Sequence, residues 1–351
     1  MKVAVLYSEL ADYTLACLKA LSERGVSIYL IHWPINPEAP FQFDLSFCQV
    51  HYSRDRISHD QLNQIVSDFV PDLILCSGWM DKGYVRLCKS WKSKAVTVLA
   101  MDNHWNGTWK QYLASIVAPF TIRKAFSLAF VPGGPQKAYA LKLGFSEDEI
   151  ETGFYAADTE KFKGYKEEIQ KHKDVKRVKR FLFLGRYVMH KGIFDLWEAF
   201  TRFRGEHPDW ELWCVGAGDQ YEHRVQGDGI KHFGFVQPDQ LLPILKECDV
   251  YILPSHFEPW GVSVHEMAVA GFPMLLSDKI GAREAFLKEN ENGKFFPSGD
   301  VQALFQSMCW MAKQQPSKLE EMGRLSHALG MQNTPQLWAE KLMYMLKTRK
   351  A

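Results

Sequence analysis

The stretch HFEPWGVSVHEMAVAGFP, residues 256–273, follows the apolar run DVYILP (249–254) and leads into FPMLLS (272–277). If a helix begins near Gly261, Glu266 lies in its second turn and Glu258 in the loop that leads into it. The two acids therefore do not stack as an i,i+4 pair. Both point toward whatever lies at the helix N-terminus, where unpaired backbone N–H groups and the helix dipole favour an anion. Strand, glycine-opened helix and strand in this order form the repeating unit of a parallel α/β sheet.

The same alternation extends in both directions. Upstream in the second half come RFLFLG (180–185), ELWCVG (211–216) and IKHFGF (230–235). The first half offers KVAVLY (2–7), VSIYLIHW (26–33), FCQVHY (47–52), DLILCSG (72–78), AVTVLAMD (95–102) and SLAFVP (127–132), with helical patterns between most of them. Between the halves, residues 161–180 carry nine Lys/Arg against Glu167, Glu168 and Asp174, the composition of a solvated linker. With 351 residues the chain is too long for one small core. The expected architecture is α/β: two doubly wound, Rossmann-like domains over residues 1–160 and 181–333, a linker over 161–180, and a closing helix over 334–351 with Trp338, Leu342 and Leu346 as its buried stripe.

Bulk composition excludes more than it assigns. Forty-two basic and 41 acidic residues leave the chain nearly neutral, so its global charge suggests no nucleic-acid partner. Seven cysteines form an odd set without CxxC or metal spacing, and Cys17, Cys76, Cys214 and Cys248 sit among apolar residues. Reduced thiols and a cytoplasmic location are expected. No apolar run approaches the roughly 20 residues of a membrane span.

In open α/β sheets ligands bind beyond the carboxyl ends of the strands. The second half supplies candidates there in order. LGRYVMHKG brings Gly185, Arg186, Lys191 and Gly192 after one strand, two cations able to clamp a diphosphate. VGAGD (215–219) has glycines, Gly216 among them, where a backbone passes close to something. HFGFV (232–236) ends at Phe235 and Val236, whose loop can offer backbone groups to a nucleobase. SDKIGAREAF (277–286) closes the series with another glycine loop. Taken singly, Arg186 and Lys191 also read as solvated charges, Glu258 and Glu266 as acids beside a helix dipole, and the glycines as tight turns; the weight lies in their joint order.

That ordered set resembles the nucleotide-sugar half of family-4 retaining glycosyltransferases, the group 1 enzymes of the GT-B fold, in which two Rossmann-like domains face each other. Glu258 and Glu266 match that family's E-x7-E motif, and the resemblance covers roughly residues 125–350. Within the segment before the linker, the family's usual Asn-Gly-Val-Asp is here Gly153-Phe154-Tyr155-Ala156-Ala157-Asp158. In the first ~120 residues, Ser8-Glu9-Leu10-Ala11-Asp12 replaces the glycine-rich loop common after the first strand. By resemblance, Arg186 and Lys191, with backbone N–H groups near Val262 and Ser263, hold the donor diphosphate. Glu258 with Trp260 and Gly261 holds the sugar; Glu266, Phe235, Val236 and Gly216 hold the nucleoside. His104 and Asp102, in MDNHWNGTWKQ, are the first domain's catalytic candidates beside Glu258, and a structural histidine is an equal reading of His104.

The resemblance implies a retaining hexosyltransferase making a glycan or lipid-linked product of the bacterial surface or lipopolysaccharide kind. It implies no cofactor beyond the nucleotide sugar, a UDP-sugar before a GDP-sugar. No two aspartates are separated by a single residue, so there is no DxD for a metal-bound diphosphate, and no metal site is expected. The alternative is a catalytically silent GT-B protein that binds a nucleotide sugar or a partner transferase. A dehydrogenase is disfavoured because no GxGxxG follows the first strand.

Charge is unevenly distributed in the first half. Residues 1–81 hold five basic and ten acidic residues, whereas 82–142 hold ten basic residues and the single acid Asp102. Trp109, Tyr112, Leu113, Ile116 and Val117 recur there at helical spacing. The plainer reading is a helix packed on its sheet; the other is peripheral contact of residues 82–142 with an anionic membrane.

Overall fold

A computed structural model describes the chain except for residues 38–39, 173–178 and 351. It divides into two compact units: Met1–Asn36, Phe41–Ala157 and Asn333–Ala351 form the first, and Pro37–Pro40 with Asp158–Gln332 the second.

The first unit is built on seven strands, β1 (Lys2–Tyr7), β2 (Ser27–His32), β3 (Val50–Ser53), β4 (Leu73–Ser77), β5 (Val96–Ala100), β6 (Leu128–Val131) and β7 (Ile150–Thr152). They lie in the order β3-β2-β1-β4-β5-β6-β7, every pairing parallel. The second unit continues with β8 (Lys179–Leu184), β9 (Trp210–Val215), β10 (Ile230–His232), β11 (Val250–Leu253), β12 (Met274–Ser277) and β13 (Gly293–Phe296). Its six-stranded sheet, order β10-β9-β8-β11-β12-β13, is also wholly parallel. Strands covered on both faces read as unbroken apolar runs, which is why β1, β4, β5 and β11 were legible from sequence. β7 and β13 were not: each is short and carries polar or charged residues, Glu151 and Lys294, at a sheet edge.

Two expectations are corrected. Of the basic stretch 161–180, expected as a linker, residues 161–172 lie in a helix that spans Thr159–His172, and 173–178 lie outside the described residues. Phe162 and Ile169 of that helix are buried and the Tyr165 hydroxyl donates to Pro238 O at 2.9 Å, so it is part of the second unit. Arg180 pairs with Glu211 at 2.7 Å and Glu247 at 2.9 Å, which consumes charge that reads as solvated in sequence. The second correction concerns the helix Trp109–Val117, which buries none of its residues; its apolar stripe faces solvent instead of the sheet.

The closing helix Pro335–Lys350 lies on the first unit. Trp338, Leu342 and Leu346 enter its core, with Trp338 stacked on Phe130 at 5.7 Å between ring centres. Asn333 donates to Tyr155 O and Lys341 to Thr152 O, both at 2.7 Å, so residues just before and within the helix are tied to β7 and the segment after it. All seven cysteines are free, and six are buried. Among the described residues no helix is long and apolar enough to cross a membrane.

Candidate functional site

The second sheet reverses its strand order between β8 and β11. Loops leaving the carboxyl ends of such a pair diverge to opposite sides and open a crevice. Arg186 and Lys191 follow β8, and the loop 254–260 follows β11. The two strands thus bring together side chains 67 residues apart: Lys191 Nζ and Glu258 Oε2 form an ion pair, with side chains 12% and 14% exposed. Arg186 is half-buried in the same loop.

Close backbone packing shapes this loop. Gly192 has φ +67°, and a Cβ there would lie 2.2 Å from Pro254 O, so only glycine lets the β8 loop pass against the end of β11. Gly216 and Gly218 answer the same need on the other side, since Cβ atoms would lie 1.9 Å from Gly185 O and 2.5 Å from Tyr187 O. The glycines of VGAGD are therefore accounted for by the protein's own β8 loop, which Tyr187 N fastens by donating to Ala217 O at 2.9 Å. Phe235 and Val236, half-buried, follow β10 next to this turn, where Gly216 N donates to Gly234 O at 2.7 Å.

The loop of Glu258 is held by SDKIGARE. Glu258 N donates to Lys279 O at 3.0 Å, Gly281 N to Glu258 O at 3.1 Å, and Ala282 N to Trp260 O at 2.9 Å. These two segments, adjacent in the motif order, are one paired ribbon. The Trp260 indole is buried with its edge toward Phe286, so it anchors the loop and leaves only its backbone for a ligand. Gly261, φ +92°, turns the chain into the helix Val262–Val269, whose N-terminus has no side-chain cap.

In that helix Ser263 Oγ accepts from Tyr251 Oη at 2.9 Å, and burial raises the tyrosine so that it stays a donor. Glu266 is half-buried one turn on. His265 faces the core, stacked on Phe286 at 4.3 Å, with Nε2 donating to Gly330 O at 2.8 Å. Burial lowers its pKa from 6.5 to about 4. A depressed folded-state value means the unfolded chain binds the proton first, so stability falls as pH drops from 6.5 toward 4. At pH 4.5 the loss is on the order of 2 kcal/mol relative to pH 7. His265→Gln should show a pH dependence of urea unfolding smaller by about that amount; equal slopes in the two proteins would remove His265 as the cause.

Sequence reasoning missed several contacts at the site. His256 Nε2 lies 2.6 Å from Asp195 Oδ2, and His256 N donates to His190 O at 2.7 Å, tying the β11 loop to the β8 loop. No spacing announces a pair 61 residues apart.

In the first unit, Asp102 and His104 follow β5. Asp102 Oδ2 accepts from Tyr155 Oη at 3.1 Å. Burial, with Asp102 and neighbouring tyrosines, holds that hydroxyl well above its ordinary pKa, so it remains protonated and donating. His104 O accepts from Gln111 Nε2 at 2.7 Å, which fastens the loop to the start of the exposed helix.

Residues 165–326 match the family model described as glycosyl transferases group 1. The matched residues lie within the second unit and make up less than half of the chain. The curated relatives include glycogen synthase of Mycobacterium tuberculosis, 34% identical over 114 residues, or 30% of this chain and 27% of that protein. A D-rhamnosyltransferase of Pseudomonas aeruginosa is 31% identical over 157 residues, or 42% and 39%. The matched portion thus spans about a quarter to two fifths of these relatives.

Among solved structures, sucrose-phosphate synthase of Thermosynechococcus elongatus matches with a TM-score of 0.74 at 16% identity, covering 99% of this chain and 98% of that one. The Anabaena HepE protein, solved with UDP and glucose, matches with a TM-score of 0.72 at 15% identity and 99% coverage of both chains. The fold is GT-B. In the second unit, the motifs that carried the resemblance are the loops after β8, β9, β10, β11 and β12 and the helix between β11 and β12.

Proposed function

We propose that this chain is a retaining, metal-independent glycosyltransferase that moves a hexose from a nucleoside-diphosphate sugar, a UDP-sugar first, to a glycan or lipid-linked acceptor in the assembly of a surface polysaccharide. The observation that carries this reading is the Lys191–Glu258 ion pair at the β8/β11 switch point, with Arg186 in the same β8 loop and the uncapped start of the helix Val262–Val269 following the β11 loop. Arg186, Lys191 and the N–H groups at Val262 and Ser263 bind the diphosphate and stabilise the charge that grows on it as the anomeric C–O bond breaks. Glu258 and the backbone of Trp260 and Gly261 hold sugar hydroxyls; Glu266 accepts from the ribose. Fixed cations do here what a metal ion does in other transferases, which fits the lack of a DxD pair.

No side chain in the constellation is an obvious nucleophile, so the reading is front-face substitution, in which the departing phosphate oxygen takes the acceptor proton as the new bond forms on the same face. Asp102 and His104 are the first unit's candidates for that step. We place the protein in the cytoplasm, peripheral to an anionic membrane face through residues 82–142.

The test is a donor screen with UDP-, GDP- and ADP-sugars, followed by NMR of the product. An α-linked donor should give an α-linked product, with activity unchanged by EDTA. An inverted product, or activity that returns only with divalent metal, overturns the mechanism. Tight donor binding with neither transfer nor hydrolysis favours the silent alternative.

Glu258 and Glu266 separate ground-state from transition-state roles. Glu258→Gln is expected to keep or tighten UDP binding, because it releases Lys191, while transfer falls by tenfold or more. Glu266→Gln is expected to weaken UDP itself. Titration calorimetry with UDP reads both, and the reverse pattern exchanges the assignments.

A further inference from the structure

The helix Trp109–Val117 is built inside out. Trp109, Tyr112, Leu113, Ile116 and Val117 are 71%, 57%, 52%, 70% and 41% exposed, and Phe120 just beyond is 71% exposed. Its polar side is the one turned inward: Gln111 closes a capping box with Thr108 and also reaches His104 O, and Ser115 Oγ donates to Gln111 O. The segment is anchored beyond the helix, where Ala118, Ile122 and Ala125 are buried. A monomer rarely leaves so continuous an apolar face uncovered.

Charge identifies what covers it. Lys110 and Lys124 are exposed on this segment. The helix Lys82–Trp91, packed against Ile122–Ala125, adds exposed Lys82, Arg86 and Lys89. The one acid of residues 82–142, Asp102, is occupied by Tyr155. A second copy of the chain would set two such positive surfaces against each other across a two-fold axis. An anionic lipid surface satisfies both features at once: apolar side chains enter the acyl boundary while cations meet headgroups, and Trp and Tyr suit the interface between.

We propose that residues 109–120 insert into the interface of an anionic bilayer as an amphipathic wedge. This rests on the peripheral contact proposed above and adds to it that apolar insertion, not charge alone, holds the protein. It does not depend on the transferase reading.

The test uses the whole protein with vesicles of phosphatidylcholine alone or mixed with phosphatidylglycerol. The wild type should sediment with the mixed vesicles, and brominated lipid should quench part of its tryptophan fluorescence. The Trp109→Ser, Ile116→Ser, Phe120→Ser triple variant should bind at least tenfold more weakly and lose that quenching, with an unchanged thermal midpoint because the side chains are already exposed. The Lys82→Gln, Arg86→Gln, Lys89→Gln variant should bind more weakly at low salt yet retain the quenching of whatever is bound. If the apolar variant binds as well as wild type, insertion is wrong and the electrostatic contact stands. No sedimentation of wild type at low salt overturns both. A concentration-dependent dimer that the apolar variant abolishes, without vesicle binding, assigns the face to a second copy and also overturns the proposal.

Discussion

Arg186→Ala and Lys191→Ala are each expected to weaken nucleoside-diphosphate binding and lower kcat/KM by about 10- to 150-fold, the equivalent of about 1.5–3 kcal/mol for one charge-assisted contact. The two should differ in detail. Lys191 is paired with Glu258, so its loss also leaves a carboxylate, only 14% exposed, without that cation beside the proposed phosphate site. Removing one partner of a desolvated pair costs more than the pair itself contributed. Lys191→Ala should therefore be the more damaging variant, and Glu258→Gln in the same chain should recover part of the UDP affinity. Additive losses in that double-variant cycle, read by titration with UDP, would mean the two side chains act independently; unchanged UDP affinity in both single variants would remove the cations from the donor site.

Gly216→Ala should not fold stably. Its φ is +142°, and a Cβ would sit 1.9 Å from Gly185 O, a backbone atom that cannot move aside without displacing the β8 loop. The expected loss is about 3–5 kcal/mol, combining strain with overpacking. Gly185→Ala is the comparison: its Cβ would meet the edge of Phe183 at 3.3 Å and the stem of Lys191 at 3.9 Å, so the fold should survive while nucleotide binding suffers. Urea unfolding separates them. Equal, small losses in both would show that the loop after β9 can retreat, and would leave Gly216 available as a ligand contact.

The parallel α/β class was legible because doubly covered strands must be apolar throughout, and the runs at KVAVLY and DVYILP admit little else. The placement of the candidate residues was legible as well: Arg186, Lys191 and Glu258 lie in loops after strand ends, and Glu266 in the helix that follows the second of them. The buried stripe of the closing helix could be read for the same reason, since Trp338, Leu342 and Leu346 recur at helical spacing.

Pairings across long separations were decided only by the tertiary structure. Lys191 and Glu258 meet because β8 and β11 are neighbours, and no local rule couples residues 67 apart. Asp102 and Tyr155 are 53 residues apart, and only the fold places the tyrosine hydroxyl against the carboxylate. The glycines of VGAGD read as places where a backbone passes close to something, and only the fold shows that the near atoms are Gly185 O and Tyr187 O of the β8 loop. The basic run before β8 looked unpaired, yet Glu211 and Glu247 supply acids to Arg180. The stripe at 109–117 shows the limit most directly. Periodicity specifies that an amphipathic helix has an apolar face, but which way that face turns depends on what its neighbours leave uncovered, and here they leave it to solvent.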